Sequence, residues 1–150
     1  MSTNSNRHLF NRYAESKEAV AFDDLAEIFA TLEPIDMSSM IGPWQGGIFK
    51  SGTLIDWTLK DYGFIKWIGK EYVSKNNVKA LMHNFLGFKF NFPVIGRAQI
   101  RPIQFRGKLS TSMIYNHLPI IDHFRKVDDN TLMGAMDLKG RIVLYFYLYR

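Results

Sequence analysis

Two strand-like segments at the end of the chain decide the fold: TLMGAMDL (131–138) and IVLYFYLY (142–149). Lys139-Gly140 between them is typical of a tight hairpin, because glycine tolerates the left-handed backbone that such turns need. In the second segment two apolar sets alternate: Ile142, Leu144, Phe146 and Leu148, against Val143, Tyr145, Tyr147 and Tyr149. A strand with one face in water would carry charge on that face. The hairpin therefore predicts a sheet covered on both sides, with one face under helices and the face that carries the tyrosines lining an interior.

The rest of the chain predicts more strands of the same kind. Strand-like segments of five to ten residues precede the hairpin, at 44–49, 64–73, 78–85, 88–92, 98–106, 111–115 and 119–127. Short separators rich in Gly, Asn and Asp lie between the last of them, at 107–108, 116–118 and 128–130. Many short strands at this spacing are typical of an antiparallel sandwich or barrel, and the two-faced last strand favours closure into a barrel.

The first 41 residues have a different pattern. We expect residues 1–10 to be a flexible tail and residues 11–150 to form one domain, with 11–41 as a helical cover and 42–150 as the barrel. A weak helix is predicted over 12–22 and a stronger one over 23–32, where apolar residues recur every three or four positions until Pro34. A single turn is expected over 37–41 and a short helix over 54–60.

Composition excludes several classes of protein. The 150 residues contain no cysteine, which excludes disulfides, thiolate nucleophiles and cysteine-based metal sites. The polar N-terminus and the short apolar runs predict a cytoplasmic protein without a membrane span. The net charge of +5 is scattered along the predicted strands, a pattern that favours a solvated outer surface over a nucleic-acid site. The aromatic content of 15% exceeds what a core of this size requires.

Gly42-Pro43-Trp44-Gln45-Gly46 matches the pattern Gly-x-Trp-x-Gly. The first glycine permits a sharp turn into a strand, and the tryptophan can close one end of a barrel while its indole N–H finds a partner. Together with MIYNHLPIIDHFRKVDD (113–129) and MDLKG (136–140), this motif resembles the bacterial GXWXG protein family and its companion C-terminal domain of unknown function. The resemblance covers residues 29–150. It implies a mainly β, calycin/lipocalin-like antiparallel up-and-down β-barrel with short N-terminal helices, a fold that encloses small hydrophobic ligands.

A cavity in such a barrel would be lined by aromatic and basic side chains. The candidate ligand-binding residues are Trp67, Tyr115, His123, Arg125, Tyr145 and Tyr147. Tyrosine suits an amphipathic cavity because it offers apolar area and one hydrogen bond. Arg125 is the expected anchor, since its planar guanidinium fits a carboxylate or phosphate. The alternative is a cross-strand ion-pair network in which Asp122 pairs with Lys139 or Arg125 pairs with Asp137.

His123 could be an ordinary strand histidine, a haem ligand or a general base. No two histidines stand at metal-ligand spacing, and no histidine follows His123, near the end where a nitrobindin-like barrel would carry its haem ligand. We therefore predict neither a metal nor a cofactor, with haem as the alternative.

These observations favour binding over catalysis. We expect a small hydrophobic or amphipathic anion, such as a fatty or aromatic acid, as the ligand. No nucleophile elbow, phosphate loop or dinucleotide fingerprint supports catalysis. One alternative is nevertheless a cofactor-free isomerase or hydratase in the same cavity, since an enzyme that uses one tyrosine and one aspartate needs none of these motifs. The other is an interaction domain with a filled interior, which could act as a homodimer.

Overall fold

The computed structural model describes residues 3–52 and 65–150, and within these ranges three helices precede nine strands. The helices are α1 Thr3–Glu15, α2 Phe22–Thr31 and α3 Met37–Met40. The strands are β1 Gly42–Ile48, β2 Ile65–Ser74, β3 Asn77–Phe85, β4 Phe88–Asn91, β5 Arg97–Phe105, β6 Lys108–Tyr115, β7 Ile120–Asp128, β8 Thr131–Leu138 and β9 Arg141–Tyr149.

Eight of these strands close into an antiparallel barrel. Their order is β2-β1-β9-β8-β7-β6-β5-β3, and β2 also pairs with β3, which joins the two edges of the sheet. The short strand β4 extends the sheet beyond β3. Apart from β4 and the pairing of the first strand β1 with the last strand β9, neighbours in the barrel are consecutive along the chain. The predicted mainly β, up-and-down antiparallel barrel with short N-terminal helices is therefore confirmed. Closure leaves few exposed strand edges.

All nine predicted strands are present, with ends that differ by a few residues at most. Turn chemistry explains this agreement: Gly107 and Gly140 both have positive φ angles in the hairpins that the sequence predicts. The predicted helix over 54–60 lies outside the described residues.

The N-terminal segment differs from its prediction. Residues Thr3–Glu15 form α1, where a flexible tail over 1–10 and a helix over 12–22 were expected. Phe10 is buried and makes edge-to-face contacts with Phe49 and Tyr147, at centroid distances of 5.4 and 6.0 Å. A short polar helix is marginal alone, so this packing against the barrel, which the local sequence does not reveal, stabilises α1.

The sheet separates two apolar layers. The barrel interior holds one cluster, and a second cluster lies between the outer face of the sheet and helices α1 and α2. On β9 the expected orientation is wrong: Leu144, Phe146 and Leu148 face the interior, whereas Tyr145 and Tyr147 face the helices. Because both faces of β9 are apolar, alternation alone does not distinguish the inside from the outside.

Candidate functional site

The barrel interior contains a cavity of about 80 Å³ that is partly open to solvent. Most of its wall is apolar. The lining residues are Ile48, Trp67, Lys70, Leu81, His83, Tyr115, Asp122, Met136, Leu144 and Phe146. An apolar cavity with a few convergent polar groups is the usual form of a small-molecule site.

Lys70 reaches this interior because β2 is irregular. In a regular strand Trp67 and Lys70, three positions apart, would point to opposite faces. The pairing of β2 with β3 shifts register on both sides of Gly69, and this bulge turns both side chains inward. Gly69 has a φ of +149° and a methyl group there would overlap the carbonyl oxygen of Trp44, so only glycine fits this bulge.

The Lys70 ammonium lies in an aromatic cage. Its Nζ is 5.5 Å from the ring centroid of Trp67, 5.4 Å from that of Tyr115 and 5.3 Å from that of Phe146. Ring faces at this distance attract a cation, most strongly where water is excluded. The cage partly compensates for the hydration that Lys70 loses on burial.

Lys70 and Asp122 form an ion pair inside the barrel. The Nζ–Oδ2 distance is 3.2 Å and each side chain is only 3% exposed. Lys70 Nζ also donates to the carbonyl oxygen of Ala80 at 3.1 Å and to the hydroxyl oxygen of Tyr115 at 3.2 Å. An ammonium has three donors, so all of them are engaged.

Asp122 and the buried Tyr72 have hydrogen-bonding capacity that the described residues do not use. Asp122 Oδ1 and the Tyr72 hydroxyl are buried and have no hydrogen-bond partner within residues 3–52 and 65–150. A buried polar atom without a partner is costly, and native structures keep few of them. One acceptor and one phenol in the interior are therefore available to a bound molecule.

Burial shifts the proton affinities of these groups. Loss of solvation raises the pKa of Asp122 and lowers the pKa of Lys70, and the attraction within the pair opposes both shifts. Burial, reinforced by the Asp122 charge, holds the pKa values of Tyr115 and Tyr72 well above the usual range. The two phenols thus remain protonated at neutral pH, while the ionic and neutral forms of the Lys70–Asp122 pair lie closer in free energy than in water.

The Gly-x-Trp-x-Gly motif supports the same interior. Trp44 is 4% exposed and its indole donates to the carbonyl oxygen of Met40 at 2.7 Å. Gly42 has a φ of +120°, in the region that favours glycine. A methyl group at Gly46 would overlap the indole of Trp67, so the second glycine makes room for a cavity-lining ring.

The structure does not bring the six predicted ligand-binding residues into one cavity. Trp67 and Tyr115 line the interior. The other four lie on the outer face of the sheet, beneath or beside the helices: His123, Arg125, Tyr145 and Tyr147. The expected position of Arg125 in the barrel cavity is therefore wrong, because β7 presents Asp122 and Phe124 to the interior and the alternate residues His123 and Arg125 to the outer face.

His123 is held in an outer-face hydrogen-bond chain. Its Nδ1 is 2.9 Å from Ser112 Oγ and its Nε2 is 3.0 Å from Asp137 Oδ2, and its ring stacks on Phe105 at 3.9 Å. Both ring nitrogens are engaged, so this histidine does not fit the haem-ligand alternative. Ser112 is 1% exposed, so this Ser112–His123–Asp137 arrangement does not expose a serine nucleophile to a substrate.

Neither predicted ion pair is present among the described residues. Asp122 pairs with Lys70 and not with Lys139, and Asp137 pairs with His123 and not with Arg125. In the same ranges no three histidine or carboxylate side chains come together as a metal site.

The sequence analysis missed Lys70, Asp122 and Tyr72 as site residues. Asp122 had a visible signal, since it is a carboxylate that follows Ile120 and Ile121 on a predicted strand of the barrel. Lys70 had a weaker one, because it lies between Ile68 and Tyr72 on a predicted strand. Its partner lies on β7, far along the chain, and the bulge at Gly69 has no local signature except the glycine itself.

The fold and the interior pair define a class: closed antiparallel β-barrels with a polar group inside an apolar cavity. Residues 27–84 match the family described as GXWXG protein, and residues 96–150 match the Domain of unknown function (DUF4334). The chain belongs to the GXWXG protein family with its companion C-terminal domain, as the motifs predict. A crystal structure of a protein from Thermomonospora curvata is similar, with 32% sequence identity and a TM-score of 0.86, covering 97% of this chain and 98% of that one. No curated protein matches this chain.

Among the described residues, no helix is both long and apolar enough to cross a membrane.

Proposed function

We propose that the protein binds a small, mainly apolar molecule in the barrel interior, with the Lys70–Asp122 pair as its polar recognition group. One observation carries the proposal: a buried ion pair faces an apolar cavity and leaves Asp122 Oδ1 without a partner in the part of the chain that the structure describes. A ligand hydroxyl or amine that donated to Oδ1 would satisfy this atom. The apolar remainder of the ligand would contact Leu81, Leu144 and Phe146.

The contacts of Lys70 favour a neutral ligand over the anion expected from the sequence. All three donors of Nζ are already engaged, and the adjacent Asp122 carboxylate would repel a second carboxylate. An anion would have to displace Asp122 or protonate it. A neutral hydroxyl compound requires neither.

The size of the cavity favours a compact ligand. A volume of about 80 Å³ is far below the several hundred Å³ of typical drug-sized sites. A single small ring with one hydroxyl group suits this space better than a fatty acid. The interaction-domain alternative expects a filled interior, so the cavity favours the binding proposal over it.

Phenol and benzoate test the proposal directly. We expect phenol to bind at least about tenfold more tightly than benzoate, a difference of roughly 1.4 kcal/mol, because phenol donates to Asp122 and carries no charge. Calorimetric titration at pH 7 measures both affinities. Leu81→Phe should abolish phenol binding by filling the cavity, whereas the same change at Leu109, 63% exposed on β6, should not alter it. Equal phenol binding by wild type and Leu81→Phe would contradict the proposal.

A second candidate function is proton-transfer catalysis in the same cavity. It is favoured by the raised pKa of Asp122 and the lowered pKa of Lys70, since groups tuned toward neutral pH serve as general acids and bases. For an enolisable ketone such as cyclopentanone, we expect an enzyme of this kind to speed deuterium uptake from D₂O by about 10²-fold or more. Proton NMR follows the uptake. Asp122→Asn should abolish the acceleration, and a wild-type rate equal to the buffer rate would leave binding as the function.

A further inference from the structure

We propose a second binding site, for a small oxyanion of the carboxylate or phosphate type, between Arg125 and Arg106 on the outer face of the barrel. The sheet separates this site from the interior cavity, so it stands independently of the function proposed above. The site combines Arg125 of β7, Arg106 of the β5–β6 turn, and Tyr145 of β9, next to Phe29 of α2.

Arg125 is a buried cation that has no counterion among the described residues. It is 1% exposed, and no carboxylate of the described residues lies within ion-pair distance of it. Its Nη2 donates to the carbonyl oxygen of Phe105 at 2.6 Å, whereas its buried Nη1 has no partner in the described part of the chain. Burying a charge without a partner is among the most expensive arrangements in a protein, and an orphaned donor of this kind points to a missing anion.

Arg106 brings a second guanidinium to the same place. Its Cζ is 6.0 Å from the ring centroid of Phe29, and the Cζ of Arg125 is 5.0 Å from that centroid. Two cations that share one aromatic ring repel each other, and the charge of Arg106 lowers the pKa of Arg125 in addition to the effect of burial. A bound anion would replace this repulsion by attraction.

Tyr145 supplies a third donor. Its hydroxyl oxygen accepts a hydrogen bond from Arg106 Nη1 at 2.9 Å, which leaves the phenolic hydrogen available to donate. Arg106 is exposed, and its Cζ also lies 4.9 Å from the ring centroid of Phe105. Two guanidinium groups and one hydroxyl match the acceptor oxygens of a carboxylate or phosphate, which arginine binds through paired N–H groups.

The neighbouring acidic residues do not supply this anion. Asp23, Asp24 and Glu27 of α2 are exposed and form no ion pair with either arginine, and Asp137 is bonded to His123 and to the backbone of Gly140. Among the described residues, therefore, no carboxylate satisfies the two arginines, and we expect the anion to come from another molecule.

Thermal unfolding in sodium phosphate, sodium acetate and sodium chloride at equal ionic strength and pH tests the site. We expect phosphate, acetate or both to raise the wild-type midpoint by about 3 °C or more relative to chloride, since a ligand that binds only the folded state stabilises it. Arg125→Met, which keeps an apolar stem against Phe29, should abolish the rise, and Arg106→Ala should at least halve it. Arg101→Ala, a matched arginine of β5 bonded to Lys75 and Asn76, should retain it.

The pattern of responses identifies the oxyanion. A response to phosphate alone points to a free or esterified phosphate, and a response to acetate alone points to a carboxylate. The inference is overturned if wild type responds to neither anion, or if Arg125→Met and Arg106→Ala respond as wild type does. Loss of the response in Lys70→Met alone would also overturn it, by assigning the anion to the interior. If Arg125→Met does not fold, Arg106→Ala and Tyr145→Phe decide the question.

Discussion

Replacing Lys70 by methionine is expected to lower the free energy of unfolding by about 3–5 kcal/mol, because the change leaves the Asp122 carboxylate buried without its partner. Asp122→Leu should have a similar effect by leaving the Lys70 ammonium unpaired. The double variant Lys70→Met/Asp122→Leu should recover most of the loss, since two apolar groups of comparable size suit the apolar interior. Urea unfolding followed by circular dichroism measures all three variants.

A more exposed ion pair between β2 and β3 provides the matched control. Lys79 Nζ and Glu71 Oε2 are also 3.2 Å apart, but their side chains are 43% and 36% exposed. Glu71→Gln should change the free energy of unfolding by only about 0–1 kcal/mol, because water screens the charges. Single interior variants that cost no more than Glu71→Gln would show that the buried pair does not contribute in this way.

The loss in free energy of unfolding caused by Lys70→Met should decrease as the pH is lowered. Burial raises the pKa of Asp122, and removing Lys70 removes the attraction that opposes this shift. The folded state of the variant then holds the Asp122 proton more tightly than the unfolded state does. The stabilisation from this proton is fully present below the unfolded pKa of about 3.9 and is lost as the pH rises through the folded value. The difference between Lys70→Met and wild type is therefore expected to be larger at pH 7 than at pH 5. A pH-independent difference would contradict this linkage.

Truncating the motif tryptophan is the second change of large effect. Trp44→Ala is expected to lower the free energy of unfolding by about 4 kcal/mol and the thermal midpoint by roughly 12 °C, because it opens a large void at a buried site. Trp44 is 4% exposed, and the guanidinium of Arg150 lies 4.1 Å above its ring. Differential scanning calorimetry measures the midpoint.

Two further variants separate packing from hydrogen bonding at Trp44. Trp44→Phe keeps much of the ring but leaves the carbonyl oxygen of Met40 without its 2.7 Å donor, so a loss of about 1–3 kcal/mol is expected. Phe88→Ala removes an aromatic ring that is 76% exposed on β4 and should change stability by no more than about 0.5 kcal/mol. If Trp44→Ala cost as little as Phe88→Ala, the structural role of the motif would be refuted.

Much of the fold was predictable because its signals are local. Glycine turns such as Gly107 and Gly140 separate the hairpin strands, and the apolar residues of 23–32 recur at helical spacing. The candidate site was predictable only in part. Trp67 and Tyr115 line the interior, whereas Arg125 lies on the other face of the sheet.

The sequence by itself determined the β-barrel class, the strand boundaries and the family, because turn residues, alternation and the Gly-x-Trp-x-Gly motif act over a few neighbouring positions. Only the tertiary structure decided which face of each strand is inside. A single bulge at Gly69 turns Lys70 inward, and barrel closure brings it within 3.2 Å of Asp122 on a strand some fifty residues away. Burial then shifts the pKa values of both groups, an effect that depends on the solvent excluded by the whole barrel and not on the residues next to them in the chain.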